Sequence, residues 1–192
     1  KAPVFEDRPK QLMFISGVHN PEQAVETVRM MRESLPADWV ISFRPHPSER
    51  DSVESRYAPL TSMTGVVIDR SLDVYEALGQ CRAVFGSAST VLFEALAMNT
   101  HVFVQQTEKT AMMFGSQVPG HLVADDSGLV TLMARIDSMG QPDESHRKDA
   151  ERIWASETSQ LWEFHQLHMF LNVHQRIVVF HKSYPIQVSQ HH

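Results

Sequence analysis

The stretch Ser-Phe-Arg-Pro-His-Pro-Ser-Glu-Arg at 42–50 follows the apolar run Trp39-Val40-Ile41, so a guanidinium and an imidazole stand at the end of what reads as a buried strand. Pro45 restricts Arg44 to extended backbone and Pro47 does the same for His46, which gives both side chains a stiff support. Two such donors at a strand end can clamp a departing phosphate and stabilise the charge that develops on it. The same residues also have a purely structural use, His46 holding loop carbonyls and Arg44 forming an ion pair.

A second group with phosphate chemistry is Gly86-Ser87-Ala88-Ser89-Thr90, between the apolar Ala83-Val84-Phe85 and a helical pattern from Val91 to Met98. Gly86 permits close backbone approach, and the hydroxyls of Ser87, Ser89 and Thr90 cluster where a helix start presents unpaired N–H groups. The alternative is an ordinary serine cap with small residues for tight packing. Glu94 follows one turn later among Val91, Leu92, Phe93, Ala95 and Leu96, where a carboxylate is costly unless it gains a partner. Ribose hydroxyls of a bound nucleotide would serve, as would an arginine of the same chain. Gln105-Gln106-Thr107-Glu108-Lys109-Thr110 reads as a polar loop from which Thr107 can reach the same cleft.

The elements that must carry these groups alternate in type. Apolar runs at 12–16, 39–43, 66–68, 83–85, 101–105 and 122–124 read as strands. Helical patterns fall at Pro21 to Leu35, more weakly at Ser48 to Leu60, at Leu72 to Cys81, at Val91 to Met98, and from an Asp125-Asp126-Ser127 cap to about Met139. Short strands without polar alternation suit a parallel sheet covered on both faces. The expected fold is α/β, a doubly wound, mainly parallel six-stranded Rossmann-like sheet, with ligands outside the carboxyl ends of its strands. The Arg44-His46 and Ser87-Thr90 loops are expected at adjacent strand ends. Residues 1–140 would form this domain, 141–160 a polar helix, and 161–192 a tail of unassigned structure in which His191-His192 reads as an appended pair.

Composition narrows the classes of function. A formal charge of −6, with no run of basic residues, argues against nucleic acid as a partner, so any anion must be met locally. The single cysteine, Cys81, excludes an intrachain disulfide and reads as a buried thiol. No membrane span or signal segment is visible, which points to a cytoplasmic protein with at most peripheral membrane association. His165 and His168 have metal-ligand spacing but lack a carboxylate companion, so no metal site is assigned. Patterns for a nucleophile elbow, a P-loop, a dinucleotide fingerprint and a zinc protease are all missing.

Arg-Pro-His-Pro-Ser-Glu-Arg at 44–50, taken with the segment from Ser71 to Val104 that contains Gly-Ser-Ala-Ser-Thr, resembles the C-terminal, donor-binding half of GT-B fold transferases. Within that group it is most similar to bacterial capsule and surface-polysaccharide glycosyltransferases and CDP-glycerol glycerophosphotransferase-like proteins, over roughly residues 12–160. The resemblance implies that His46, Ser87, Ser89 and Thr90 contact the donor phosphates and that Glu94 lies near the ribose. Arg44 would assist His46, and Gly86 and Thr107 would complete the nucleotide site. It implies a CMP-, CDP- or UDP-linked donor as substrate, no obligatory cofactor, and a polysaccharide or lipid-linked acceptor held by an N-terminal domain for which this chain has no room. Half of a UDP-sugar 2-epimerase-like enzyme, or a non-catalytic nucleotide-binding or interaction domain of the same fold, are the alternatives.

Overall fold

Six short strands, β1 (Gln11–Ile15), β2 (Val40–Arg44), β3 (Val66–Ile68), β4 (Ala83–Gly86), β5 (His101–Gln105) and β6 (His121–Val123), form one sheet in the order β3-β2-β1-β4-β5-β6. All five pairings are parallel, as apolar strands without alternation require. This is a computed structural model, and it describes residues 3–17, 20–143 and 148. They belong to one compact unit, Lys1–Glu151. The helix expected at 144–160, the tail beyond it, and His165 and His168 lie outside the described residues.

Helices α1 (Pro21–Ser34), α2 (Val53–Arg56), α3 (Ala58–Thr61), α4 (Val74–Gly79), α5 (Val91–Ala97), α6 (Glu108–Phe114) and α7 (Asp126–Arg135) connect or follow the strands. One core joins Leu12, Phe14, Ile41, Phe43 and Phe85 of the sheet to Val28 and Met31 of α1 and to Leu129 and Met133 of α7. Register aligns Phe14 with Phe43 on one side and Phe85 on the other, and the rings stack at 5.5 Å centroid spacing across all three strands. The alternating residues Met13, Val84, Val102 and Val104 are fully buried as well, and α5 packs on β4 and β5. Two covered faces follow from the period of 2.

Two local expectations change. Ser48 to Leu60 is not one helix but a 3-10 turn at Pro47–Ser52 followed by the one-turn helices α2 and α3; Pro59, which has no N–H to donate, breaks the ladder between α2 and α3. His46, rather than Ser48, caps the turn, its ring accepting from the Ser48 amide. Likewise Gln105-to-Thr110 is no simple loop, since Thr107 caps α6 by accepting from the Thr110 amide at 3.0 Å. The Asp125 cap of α7 forms as expected, accepting from Gly128 N at 2.8 Å.

Candidate functional site

In this strand order the chain changes direction at β1, which lies between β2 and β4. The crevice beyond the carboxyl ends of β1 and β4 is therefore the switch point where such sheets take ligands. The two motif loops do not sit at adjacent strand ends, as expected, but flank β1, roughly 10 Å apart at the usual strand spacing. The end of β1 supplies Ser16 and Gly17 to the gap. A Cβ on Gly17 would lie 3.5 Å from Ser87 Oγ, which places the β1 and β4 loops in contact distance. Nothing in the hydrophobic pattern orders strands, so Ser16, read as the last residue of the first strand, and Gly17, read as the start of the following loop, carried no sequence signal as part of a site.

Gly86 closes β4 and is buried; a Cβ there would approach Ile15 Cβ at 3.3 Å and Leu92 Cδ2 at 3.4 Å, tighter than most packing. Its bare backbone lets β1 and α5 close on β4. Ser87, Ala88, Ser89 and Thr90 are half-buried. Thr90 is the N-cap of α5 without a side-chain capping bond; Ser89 Oγ, one residue earlier, accepts from Val91 N at 3.3 Å, and the amides of Leu92 and Phe93 turn back to the carbonyls of Ser89 and Thr90. The four amides of Ser87 to Thr90 themselves have no acceptor among the described residues. These four N–H groups and the Ser87 and Thr90 hydroxyls give the loop several hydrogen-bond donors with no basic side chain among them.

His46 is half-buried, and its Nδ1 lies 2.8 Å from Ser48 Oγ and 3.2 Å from the Ser48 amide. An amide can only donate, so Nδ1 is an acceptor and the ring hydrogen sits on Nε2. Arg44 is buried, and the structure turns its guanidinium away from solvent to an ion pair with Asp69 and a 3.0 Å hydrogen bond to Ser71 Oγ. The Asp69 carboxylate also takes the Ser71 amide at 2.9 Å and hydroxyl at 2.6 Å. Arg44 thereby organises the loop after β3 that leads into α4. Neither Asp69 nor Ser71 was singled out in the sequence.

Glu94 is 6% exposed, on the buried side of α5. Burial pushes its carboxyl up to about 7; a hydrogen bond with Tyr75 and the charge of Arg44 pull the other way, and the charge of Asp73 adds to the rise. Its Oε2 is enclosed and has no hydrogen-bond partner among the described residues. A buried carboxylate oxygen without a donor costs free energy until a ligand hydroxyl or a proton arrives. Thr107 spends its hydroxyl on α6, 2.9 Å from Thr110 Oγ1, while Thr110 Oγ1 donates to Gln105 O at 2.6 Å. Cys81 is buried, and desolvation raises its thiol to about 12, so it is chemically quiet.

Among the described residues no group of three or more His, Cys, Asp or Glu could hold a metal ion, and no helix is long and apolar enough to cross a membrane. A separate groove of about 540 Å³ runs between β6 and α7, lined by Leu122, Val123, Leu132 and Met139 among others. It contains none of the candidate residues.

No family model matches the chain, and no curated protein does. Solved structures do. The C-terminal CMP-Kdo binding domain of WaaA from Acinetobacter baumannii matches at 16% identity with a TM-score of 0.55, covering 78% of this chain and 91% of that domain. The wall teichoic acid polymerase TagF, in a structure with CDPG, matches at 16% identity and a TM-score of 0.54, covering 78% of this chain and 37% of TagF. The spinosyn rhamnosyltransferase SpnG matches at 15% identity and a TM-score of 0.53, covering 83% of this chain and 45% of SpnG. This chain is thus comparable in length to the WaaA domain and matches less than half of the two longer transferases. At these identities the likeness concerns architecture alone: the chain shares the Rossmann-like α/β fold of these matched domains.

Proposed function

We propose that this chain is the donor-binding half of a glycosyltransferase or polyol-phosphate transferase that takes a nucleotide-activated donor for surface-polysaccharide synthesis. The observation that carries the reading is the run of four amides, Ser87 to Thr90, with no acceptor among the described residues at the switch point of the sheet. Donors fixed in a folded loop are what an anionic leaving group needs, because they stabilise charge as it develops without having to reorganise. In an acidic protein of net charge −6 they also meet a phosphate without a basic patch.

Each remaining group has a place in that chemistry. His46 offers Nε2–H to the departing phosphate from across the β1 end. Glu94 accepts the ribose hydroxyls through its unpartnered oxygen, with Tyr75 holding the carboxylate. Arg44 acts at one remove, fixing the β3–α4 loop through Asp69 and Ser71, and Gly86 allows the loop to sit close. Thr107 stands at the neighbouring strand end as the start of α6. The acceptor, a polysaccharide or lipid-linked chain, would be held by an N-terminal domain, and the work would be done in the cytoplasm, with any membrane association peripheral. The names of the WaaA domain and the TagF complex both involve cytidine nucleotides, which makes the cytidine series the first to test.

Calorimetric titration of the chain with CMP, CDP, UDP and GDP tests the reading. Saturable binding of one or more, lost in Glu94→Ala, is expected. Heats indistinguishable from dilution for all four nucleotides contradict it.

A further inference from the structure

Below the proposed phosphate site lies a buried polar cluster that the chemistry above does not use. Glu49 is 4% exposed. Its Oε2 accepts from Tyr57 Oη at 3.0 Å and from Ser16 Oγ at 3.3 Å, and the two hydroxyls lie 2.9 Å from each other. Its Oε1 pairs with Arg56 at 3.1 Å. Arg56 itself is 38% exposed, and Oε1 has no hydrogen bond among the described residues, so the buried charge of Glu49 is met mainly by the two hydroxyls; a carboxylate so placed is costly to bury, and stability alone does not account for it.

What the cluster does hold is the spacing of three walls. The Glu49 amide donates to His46 O at 2.9 Å, closing the 3-10 turn that His46 caps. The Ser16 amide donates to Arg44 O at 2.9 Å, carrying the β1–β2 pairing one residue past the strands. Ser16 precedes Gly17, whose Cβ position lies 3.5 Å from Ser87 Oγ. A path of hydrogen bonds therefore runs from the His46 turn through Glu49 to Ser16, and the next residue, Gly17, lies beside the loop after β4.

We propose that Glu49, acting through Ser16 and Tyr57, is a positioning residue that sets where His46 stands relative to the Ser87–Thr90 loop. The role of His46 rests on the nucleotide reading above; the placement of its ring does not. Glu49→Gln keeps the shape and removes the charge facing Arg56. Tyr57→Phe removes one hydroxyl and keeps the ring against Phe43, 4.6 Å away, so it carries the test if Glu49→Gln does not fold.

The experiment has two readouts on the same proteins: ring nitrogen NMR of His46 without ligand, and nucleotide titration in the wild-type and His46→Ala backgrounds. In the wild type His46 should be the Nε2–H tautomer, with the Nδ1–H form becoming populated in Glu49→Gln and Tyr57→Phe. Affinity for CDP or UDP should fall about tenfold in those variants and by less than about twofold when His46 is already alanine, the signature of coupled positions. An unchanged tautomer in both variants, or losses that add to that of His46→Ala, overturns the proposal. If the tautomer moves while the wild-type chain binds no nucleotide, the nucleotide reading falls and the role of Glu49 stands.

Discussion

The amide of Ser48 donates to Nδ1 of His46 at 3.2 Å. This bond, between residues two apart in a proline-bracketed turn, decides which ring nitrogen faces a ligand. With Nδ1 occupied as an acceptor, the ring has one hydrogen to give, and it is on Nε2.

The first consequence concerns His46 itself. Glutamine can offer an amide N–H near the Nε2 position, whereas alanine offers nothing. A hydrogen bond to a charged group contributes about 1.5–3 kcal/mol, so His46→Ala should weaken nucleotide binding by about 10- to 150-fold, and His46→Gln by distinctly less. Titration of both variants checks this, and equal losses would show that the ring is not used as an Nε2–H donor.

Glu94 couples the site to stability. Its folded-state value of about 7 stands above the ordinary 4.5, so between these values the folded protein binds more protons than the unfolded chain. The stability this represents is present below about pH 4.5 and is lost as pH rises through 7, a loss of about 3 kcal/mol at full ionisation. Glu94→Gln mimics the neutral acid, so it should be more stable than wild type at pH 8 and close to it at pH 5, while binding nucleotide poorly. Denaturant unfolding at the two pH values measures the difference; no gain at pH 8 would mean the carboxylate is already compensated.

Arg8 anchors the opposite end of the sheet. It is buried and donates to Met98 O at 2.7 Å, Cys81 O at 3.1 Å and Thr100 Oγ1 at 3.0 Å, gathering the ends of α4 and α5. Arg8→Met would strip these acceptors of their donor, and a loss of about 2–4 kcal/mol is expected, with Arg8→Lys intermediate. Thermal melts of the three proteins give the order directly, and a melting temperature unchanged in Arg8→Met would refute the anchoring role.

Gly120 precedes β6 with φ +83°, and a Cβ there would fall 2.3 Å from Val102 O. Gly120→Ala must push β6 off β5 or bend the turn, at about 3 kcal/mol or more. Hydrogen exchange should show early loss of protection in His121–Val123, and unaltered protection there would contradict the clash.

The sequence made the architecture legible because its evidence is local. Runs such as Ala83-Val84-Phe85 and the Asp125 cap announce themselves within a few residues, and the six strands and their parallel sense follow from them. The candidate site was read by residue type, and the structure places His46 just past β2, the Ser87–Thr90 loop just past β4, and Glu94 in the first turn of α5. Partners were not. Tyr57 reaches Ser16 across 41 positions, Arg44 finds Asp69 across 25, and Arg8 finds Met98 across 90. No periodicity records such distances, and none records that β1 lies between β2 and β4. The expected helix from Ser48 failed for a different reason, since Pro59 falls inside the expected span and breaks its ladder.

The most direct measurement is the amide NMR spectrum of the chain on titration with CDP and UDP. The amides of Ser87, Ala88, Ser89 and Thr90 should show the largest shifts, moving together with the His46 ring and saturating at a common affinity. Shifts confined to other parts of the sheet, or no shift at these four amides at millimolar nucleotide, would contradict the assignment of this loop as the donor phosphate site.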